Sequence, residues 1–422
     1  MRWPFGPVAH IRQQGAARHR CRAETRGRLA RRARFALTMI LGIGTAGAEV
    51  PAVTPTPEQA LTGVVQALRA GQQQDALAQL QALTVREPTF RIAQLLYGDL
   101  LAARAGRDIT VPLRDGDDST LQALAEEVQL RLSAEANAPG ADTVPNAVIA
   151  LNPAHRHLVT VDLTRARLYL LEQSGDSLEL RYHHYAAIGR NGTRKESEGD
   201  LRTPVGIYRI TDWIDDRVLP ELYGAGALPV SYPNPWDRFH GRTGHGIWLH
   251  GVPRDTYTRA PRSSEGCVTM ANDDLRALRP RVQLGETPVV FSDELSWRSV
   301  SEQAAERDAW LARLGRWRER WSAVDTEGYL AFYHPDFTAP GLDRDAFADH
   351  KRRVNASKTF IDIEMEAPDI FHYPGTDTPT VMARFRMRYR SNNFQSESIK
   401  QQFWRQDAAG EWKIFREETP SS

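Results

Sequence analysis

Cysteine is scarce: 422 residues hold two, Cys21 and Cys267. That excludes a disulfide-stapled scaffold and a cysteine-rich zinc module. An excess of one charge is lacking as well. Lys and Arg number 54 against 53 Asp and Glu, a formal net charge of +1. The chain as a whole is no polycation seeking nucleic acid. The apolar stretch 35–44 (FALTMILGIG) is about half the ~20 residues a membrane span needs, which argues against a permanent anchor.

The balanced charge conceals an asymmetry. Residues 1–34 contain ten Arg and a single acid, Glu24. The apolar stretch follows, and Ala46-Gly47-Ala48 closes it as a small-x-small cleavage site. That order reads as a signal peptide over 1–48. Arg31-Arg32 leaves twin-arginine export open, and a mis-assigned start codon is the other reading of so long a basic leader. A disordered basic tail does not usually run into an apolar core. Cleavage after Ala48 removes ten basic residues and one acid, leaving 44 against 52 and a net charge of −8. The expectation is then a periplasmic protein with no nucleic-acid partner and no transmembrane helix in the mature chain. Cys267 becomes its only thiol, with no intramolecular disulfide available. A lone thiol in an oxidising compartment is a candidate for reactivity. The 374 residues that remain suggest roughly two or three domains.

Residues 49–135 read as a helical region. Leu61, Val64, Val65 and Leu68 recur at helical spacing until Gly71. Ala76, Leu77, Leu80 and Leu83 follow, up to Pro88, and Ile92, Leu95, Leu96, Leu100 and Leu101 come next. Helix pairs broken by Gly and Pro resemble a tetratricopeptide-type unit, in one loose copy; an ordinary helical domain fits as well. Leu121–Glu135 adds a helix, and 136–146 (ANAPGADTVPN) reads as a linker. From Ala147 the period falls to two, giving a β-rich block over 147–292. Beyond it, Trp310, Leu314, Trp317 and Trp321 mark a long helix, a short helix runs from Asp325 into a loop by Phe337, and strands are expected over 360–365, 381–391 and 396–404. Helices followed by an antiparallel meander imply a separate α+β domain at 302–419.

The chemistry concentrates between Gly244 and Asp274. Along the strand Gly246–His250, Ile247 and Leu249 point one way and Trp248 and His250 the other. A loop returns the chain to Cys267, far enough on for the thiol and imidazole to meet. Asn272 is a suitable N-cap for the helix that follows. Gly266 allows an unusual φ, and the N–H groups of Gly266 and Cys267 are candidates to hold an oxyanion. A nearby imidazole can generate the thiolate, which would then be alkylated well below the pH of ~8.5 expected of a free thiol. From the residues alone, Cys267 is either a nucleophile or a buried structural thiol.

Three ordered stretches carry a resemblance: "IWLHGVP…SSEGCVTMANDDL", "GDLRTPVGIYRI" with Thr203, Pro204 and Gly206, and "VSYPNPWD" with Tyr232. Together they resemble the L,D-transpeptidase (YkuD-type) catalytic domain family over about 147–292. The resemblance implies that Cys267 accepts the acyl group as a thioester, that His250 is its base, and that the Gly251 carbonyl orients the imidazole. It implies peptidoglycan stem peptides as partners and no cofactor or metal. Glu265 stands where many members have His, and Thr269 where many have Arg or Asn. The Ser-Glu-Gly-Cys variant is similar to the YafK-like branch, which includes a hydrolase of peptidoglycan-to-lipoprotein links. The expected function is an L,D-transpeptidase-type cysteine acyltransferase; hydrolysis as an L,D-endopeptidase or amidase releasing a peptidoglycan-linked protein is the alternative, and retention of both His250 and Cys267 argues against the second alternative, a non-catalytic peptidoglycan-binding scaffold. The C-terminal "WRERWSAVDTEGYLAFYHPDF" and closing meander resemble a nuclear-transport-factor-2-like or SnoaL-like cone.

The expected fold is multidomain: an α-helical N-terminal region, a mainly-β L,D-transpeptidase-type catalytic domain and an α+β cone-like C-terminal domain. Further substrate contacts are sought at Ser264, His245, Tyr232, Arg254 and Arg262, with Arg259 among the loop arginines that could meet stem-peptide carboxylates. His240, His245 and His250 match no standard zinc spacing.

Overall fold

The computed structural model describes residues 55–106, 118–175 and 177–420. The expected signal peptide lies outside them.

Helix α1 (Pro57–Arg69) begins where the sequence supplies a complete start signal. Thr56 and Gln59 form a reciprocal capping box and Pro57 takes the first position. Gly71, at φ +73°, ends the turn beyond it. Then come α2 (Gln73–Arg86), α3 (Arg91–Arg104) and α4 (Asp118–Ala136). Leu61, Val64, Leu80, Leu83, Phe90 and Ile92 close into one apolar cluster. A buried ion cluster ties these helices to the sheet that follows. Arg131 of α4 donates to Glu127 at 2.7 Å and to Glu58 of α1 at 3.0 Å. Arg167, a buried strand residue, donates to the same Glu58 carboxylate. Arg131 also reaches Thr258 at 2.9 Å, in the loop between His250 and Cys267.

The next strands are β1 (Thr143–Pro145), β2 (Val148–Ala150), β3 (His157–Asp162), β4 (Arg167–Ser174), β5 (Ser177–Tyr185), β6 (Ile188–Gly189), β7 (Gly206–Arg209) and β8 (Ala227–Pro229). After α5 (Pro235–Phe239) come β9 (Trp248–His250), β10 (Arg262–Ser264), β11 (Val268–Thr269), α6 (Asn272–Leu278) and β12 (Pro288–Ser292). A five-stranded sheet runs β5-β4-β3-β12-β7, and a smaller one β11-β9-β8. Val159, Val161, Leu168, Leu228, Leu249, Val268 and Phe291 pack between them.

The remainder is β13 (Trp297–Ser299), α7 (Val300–Ser322), α8 (Thr326–Leu330), β14 (Tyr333–Ala339), β15 (Leu342–Asp343), α9 (Arg344–Asn355), β16 (Ile361–Met365), β17 (Asp369–His372), β18 (Val381–Ser391), β19 (Gln395–Gln406) and β20 (Trp412–Glu418). One sheet runs β15-β14-β20-β19-β18-β17-β2, with β16 also on β18. Trp310, Trp317 and Trp321 of α7 lie buried in its concave core with Tyr329, Phe385 and Trp404.

Several local readings change. The segment 136–146, expected as a linker, contains β1, which pairs with β13 and buries Val144. Strand β2, expected within the β-rich block from 147, joins the C-terminal sheet through β17. Both strands find partners some 150 or more residues away, which no local pattern reveals. The loop expected near Phe337 is strand β14, and α9 and β17 were not foreseen. Helix α9 buries only Phe347, Ala348 and Asn355, so its apolar stripe is thin.

Candidate active site

Strands β9 and β11 run parallel, with Val268 beside Leu249 and Thr269 beside His250. Cys267, one residue earlier, comes alongside Trp248, whose backbone amide is near enough to favour the thiolate. Ile247 and Leu249 are buried in the core, as strand alternation requires. Trp248 and His250 take the other face, where the Tyr223 ring packs against both at centroid distances of 5.1 and 4.9 Å. Cys267 and His250 are thereby neighbours on one face of one small sheet.

His250 is held by its own chain. Its Nδ1 lies 2.7 Å from the Gly251 carbonyl. A carbonyl only accepts, so the neutral imidazole carries its proton on Nδ1 and presents Nε2 as a base. Burial pushes the His250 pKa down to about 4. Burial also pushes the Cys267 thiol up to about 11, and the nearby Glu265 carboxylate adds to that; the Trp248 amide, Arg259 and Lys195 pull the other way. The half-buried thiol itself points to the Gly246 carbonyl at 3.4 Å. Burial thus favours the neutral thiol and the neutral imidazole over a thiolate–imidazolium pair in the unliganded site.

The turn before the thiol is built from glycine and hydroxyls. Gly266 sits at φ +126°, where a Cβ would lie 2.8 Å from the Arg202 carbonyl. Thr203 accepts from the Gly189 amide at 2.9 Å and donates to the Gly266 carbonyl at 3.0 Å. The Ser264 hydroxyl donates to the Cys267 carbonyl at 2.6 Å and accepts from the Gly266 amide at 3.1 Å. That amide is thus occupied, which corrects its expected place in an oxyanion site. The Cys267 amide has no partner among the described residues.

Asn272 also departs from expectation. Ala271 is the N-cap of α6, without a side-chain bond. The Asn272 amide turns away from its helix to accept from Ala225 and Val252 N–H, at 2.8 and 3.2 Å, and to donate to the Val252 carbonyl at 2.8 Å. It clips the chain just after His250-Gly251 to the turn that carries Tyr223. Gly251 is required there, because a Cβ would fall 2.2 Å from Asn272 Oδ1.

Cys267, His250, Gly251, Ser264 and Gly266 converge; the other expected contacts do not. Arg254 is exposed and pairs with Asp216 at 3.2 Å. Arg262 holds Glu126 of α4 at 2.7 Å, a docking contact for the helical region. His245 is exposed, 3.7 Å from Glu198. Tyr232 is a core residue whose hydroxyl donates to the Thr243 carbonyl at 2.9 Å. Each occupies a motif or loop near the site in sequence and is turned elsewhere by local pairing. Thr269, where many relatives carry Arg or Asn, is buried. Among the described residues no group of three or more His, Cys, Asp and Glu could hold a metal ion.

Two residues were undervalued. Tyr223, in a 3₁₀ turn with no motif, caps the His250 ring. Arg259, one of several loop arginines in the sequence, is half-buried beside the thiol. Among the described residues its guanidinium bonds only the Leu222 carbonyl, at 3.3 Å, and burial lowers its pKa while Cys267 and Tyr223 oppose that. It has no carboxylate partner among the described residues.

Residues 156–291 match the family described as the L,D-transpeptidase catalytic domain, YkuD. Residues 309–418 match the Cds6 C-terminal NTF2-like domain. No curated protein matches the chain. The structure of Bdellovibrio bacteriovorus Bd1075 is similar at 29% identity and a TM-score of 0.57, covering 67% of this chain and 99% of that one. The helical cell shape determining protein Pgp2 from Campylobacter jejuni shares the fold at 24% identity and a TM-score of 0.55, covering 69% and 98%. Residues 156–291 thus match the L,D-transpeptidase catalytic domain and residues 309–418 the NTF2-like domain, with helices α1 to α4 before them.

Proposed function

We propose that the protein is an exported, periplasmic cysteine acyltransferase of the L,D-transpeptidase type, acting on peptidoglycan stem peptides through a thioester at Cys267. One observation carries this: the β9–β11 register sets Cys267 on the face of His250, whose Nδ1 is fixed by Gly251. Substrate entry completes the machinery. As Cys267 Sγ attacks the amide carbonyl after the L-centre of a diamino acid, its proton passes to His250 Nε2. The oxyanion meets the free Cys267 amide. The imidazolium then protonates the leaving amine, the C–N bond breaks, and the thioester remains. An amine acceptor, deprotonated by His250, gives transpeptidation; water gives hydrolysis by the same route.

Arg259 favours a particular donor. An unpaired guanidinium beside the nucleophile suits a free carboxylate on the residue that leaves, so the donor is a stem peptide ending at a D-amino acid. This fits release of that terminal residue better than severing a peptidoglycan-linked lipoprotein. Pgp2 is named as a determinant of helical cell shape. By that likeness, the role proposed here is remodelling of the wall that sets cell shape. Mass spectrometry of defined muropeptides, with and without an amine acceptor, tests the reading. It fails if Cys267→Ala retains full turnover.

A further inference from the structure

A second cleft lies away from the thiol, between the catalytic sheet and the C-terminal sheet. Its volume is about 370 Å³. Arg209 of β7, Ser231 and Arg238 form one wall; Arg384 of β18 and Gln401 of β19 form the other. No Asp or Glu is among the described residues that line it. Three arginines thus line a space to which no carboxylate residue contributes.

Two of the three are already held. Arg209 donates to Asp369 and to the Glu286 carbonyl. Asp369 also bonds His155 at 3.1 Å and the Asn152 amide at 2.9 Å. Arg238 donates to the Pro233 carbonyl. Arg384 is different. Its half-buried guanidinium makes no hydrogen bond among the described residues, and its Nη1 is shut off from solvent. Burial, with the neighbouring Arg209 charge, pushes its pKa down to about 10 against the pull of the Asp369 and Glu286 carboxylates, so it stays cationic at neutral pH. Neither carboxylate bonds it, and a desolvated guanidinium without a bonded partner gains from an anion that reaches it.

We propose that this cleft binds a small oxyanion, a carboxylate or a phosphate, gripped between Arg384 and Arg209 with Arg238 at its rim. The forked guanidinium is the donor best matched to such a group. The volume leaves room for an organic body behind the anionic head. Because Arg209 belongs to the catalytic domain and Arg384 to the C-terminal one, the bound anion also fastens one to the other.

The test uses the full chain in chloride buffer, by calorimetric titration and thermal unfolding. Inorganic phosphate and N-acetyl-D-alanine are the two probes. Saturable binding and a raised unfolding midpoint with either supports the site. Phosphate alone points to a phosphate ester as its natural occupant, and the acyl amino acid alone to a peptide carboxylate. Arg384→Gln weakens binding by about tenfold or more. It leaves the alkylation rate of Cys267 unchanged. Arg259→Gln, which removes the carboxylate grip proposed at the thiol site, leaves intact the portion of binding that Arg384→Gln weakens. If Arg384→Gln does not fold, the exposed Arg238→Gln is expected to weaken binding severalfold. Absence of binding by both probes overturns the proposal, and so does equal binding by the wild type and the folded Arg384 or Arg238 variant.

Discussion

Burial favours the neutral forms of both Cys267 and His250 in the unliganded site. His250 falls from its ordinary value to about 4 and Cys267 rises to about 11, both through burial first. The sign follows directly. His250 is a free base throughout neutral pH and loses that role only as pH drops through about 4. Iodoacetamide alkylation of the unliganded enzyme should therefore climb with pH beyond 9, where a thiolate–imidazolium pair would level off in mild acid. A plateau near pH 6 contradicts this. Arg259→Gln should raise KM for donors ending in a free carboxylate by about 10- to 100-fold, with a smaller change in kcat. Equal kinetics on that donor and on its amide would remove Arg259 from recognition. Here the sequence was informative where side chains sit in ordered motifs: His250, Gly251 and Cys267 could all be read. Arg259 could not be ranked above Arg254 and Arg262, because only folding decides which loop arginine finds a carboxylate and which does not.

At the level of elements, the site depends on clips between short strands. Asn272 ties the chain after Gly251 to the turn after Tyr223 with three hydrogen bonds. Asn272→Ala should cost about 1–3 kcal/mol of stability and lower kcat more than it raises KM. Unchanged kcat would show that the clip does not position His250. Its sequence context, an Asn before two acids and a leucine, reads as a helix cap, because both uses satisfy the same local rule. The ion cluster of Glu58, Glu127, Arg131 and Arg167 fixes the helical region against the catalytic loop through Thr258. Arg131→Ala leaves two buried carboxylates short of a partner and should destabilise by about 3–5 kcal/mol. A midpoint within a degree of wild type in thermal unfolding would deny the cluster that role. Periodicity revealed α1 to α4 but not this cluster, whose members lie on three elements.

Across the whole molecule, the catalytic and C-terminal domains share apolar residues. Leu158, Leu171, Ile207 and Val290 of the first pack with Phe371, Met382 and Phe403 of the second. Strand β2 leaves the catalytic stretch of the chain to extend the C-terminal sheet. These two domains should unfold together, in a single calorimetric transition; two well-separated transitions for them would contradict a common core. The order of the domains was legible from the change of hydrophobic period. Their fusion was not, since it rests on pairings between Val148–Ala150 and a strand more than 200 residues later. The central claim remains the thioester. Intact-mass analysis of the enzyme, quenched soon after mixing with a stem tetrapeptide, tests it most directly. The account predicts an adduct equal to the donor acyl group, mapped to Cys267 and absent from Cys267→Ala. Turnover of the donor with no adduct at Cys267, undiminished in that variant, would contradict it.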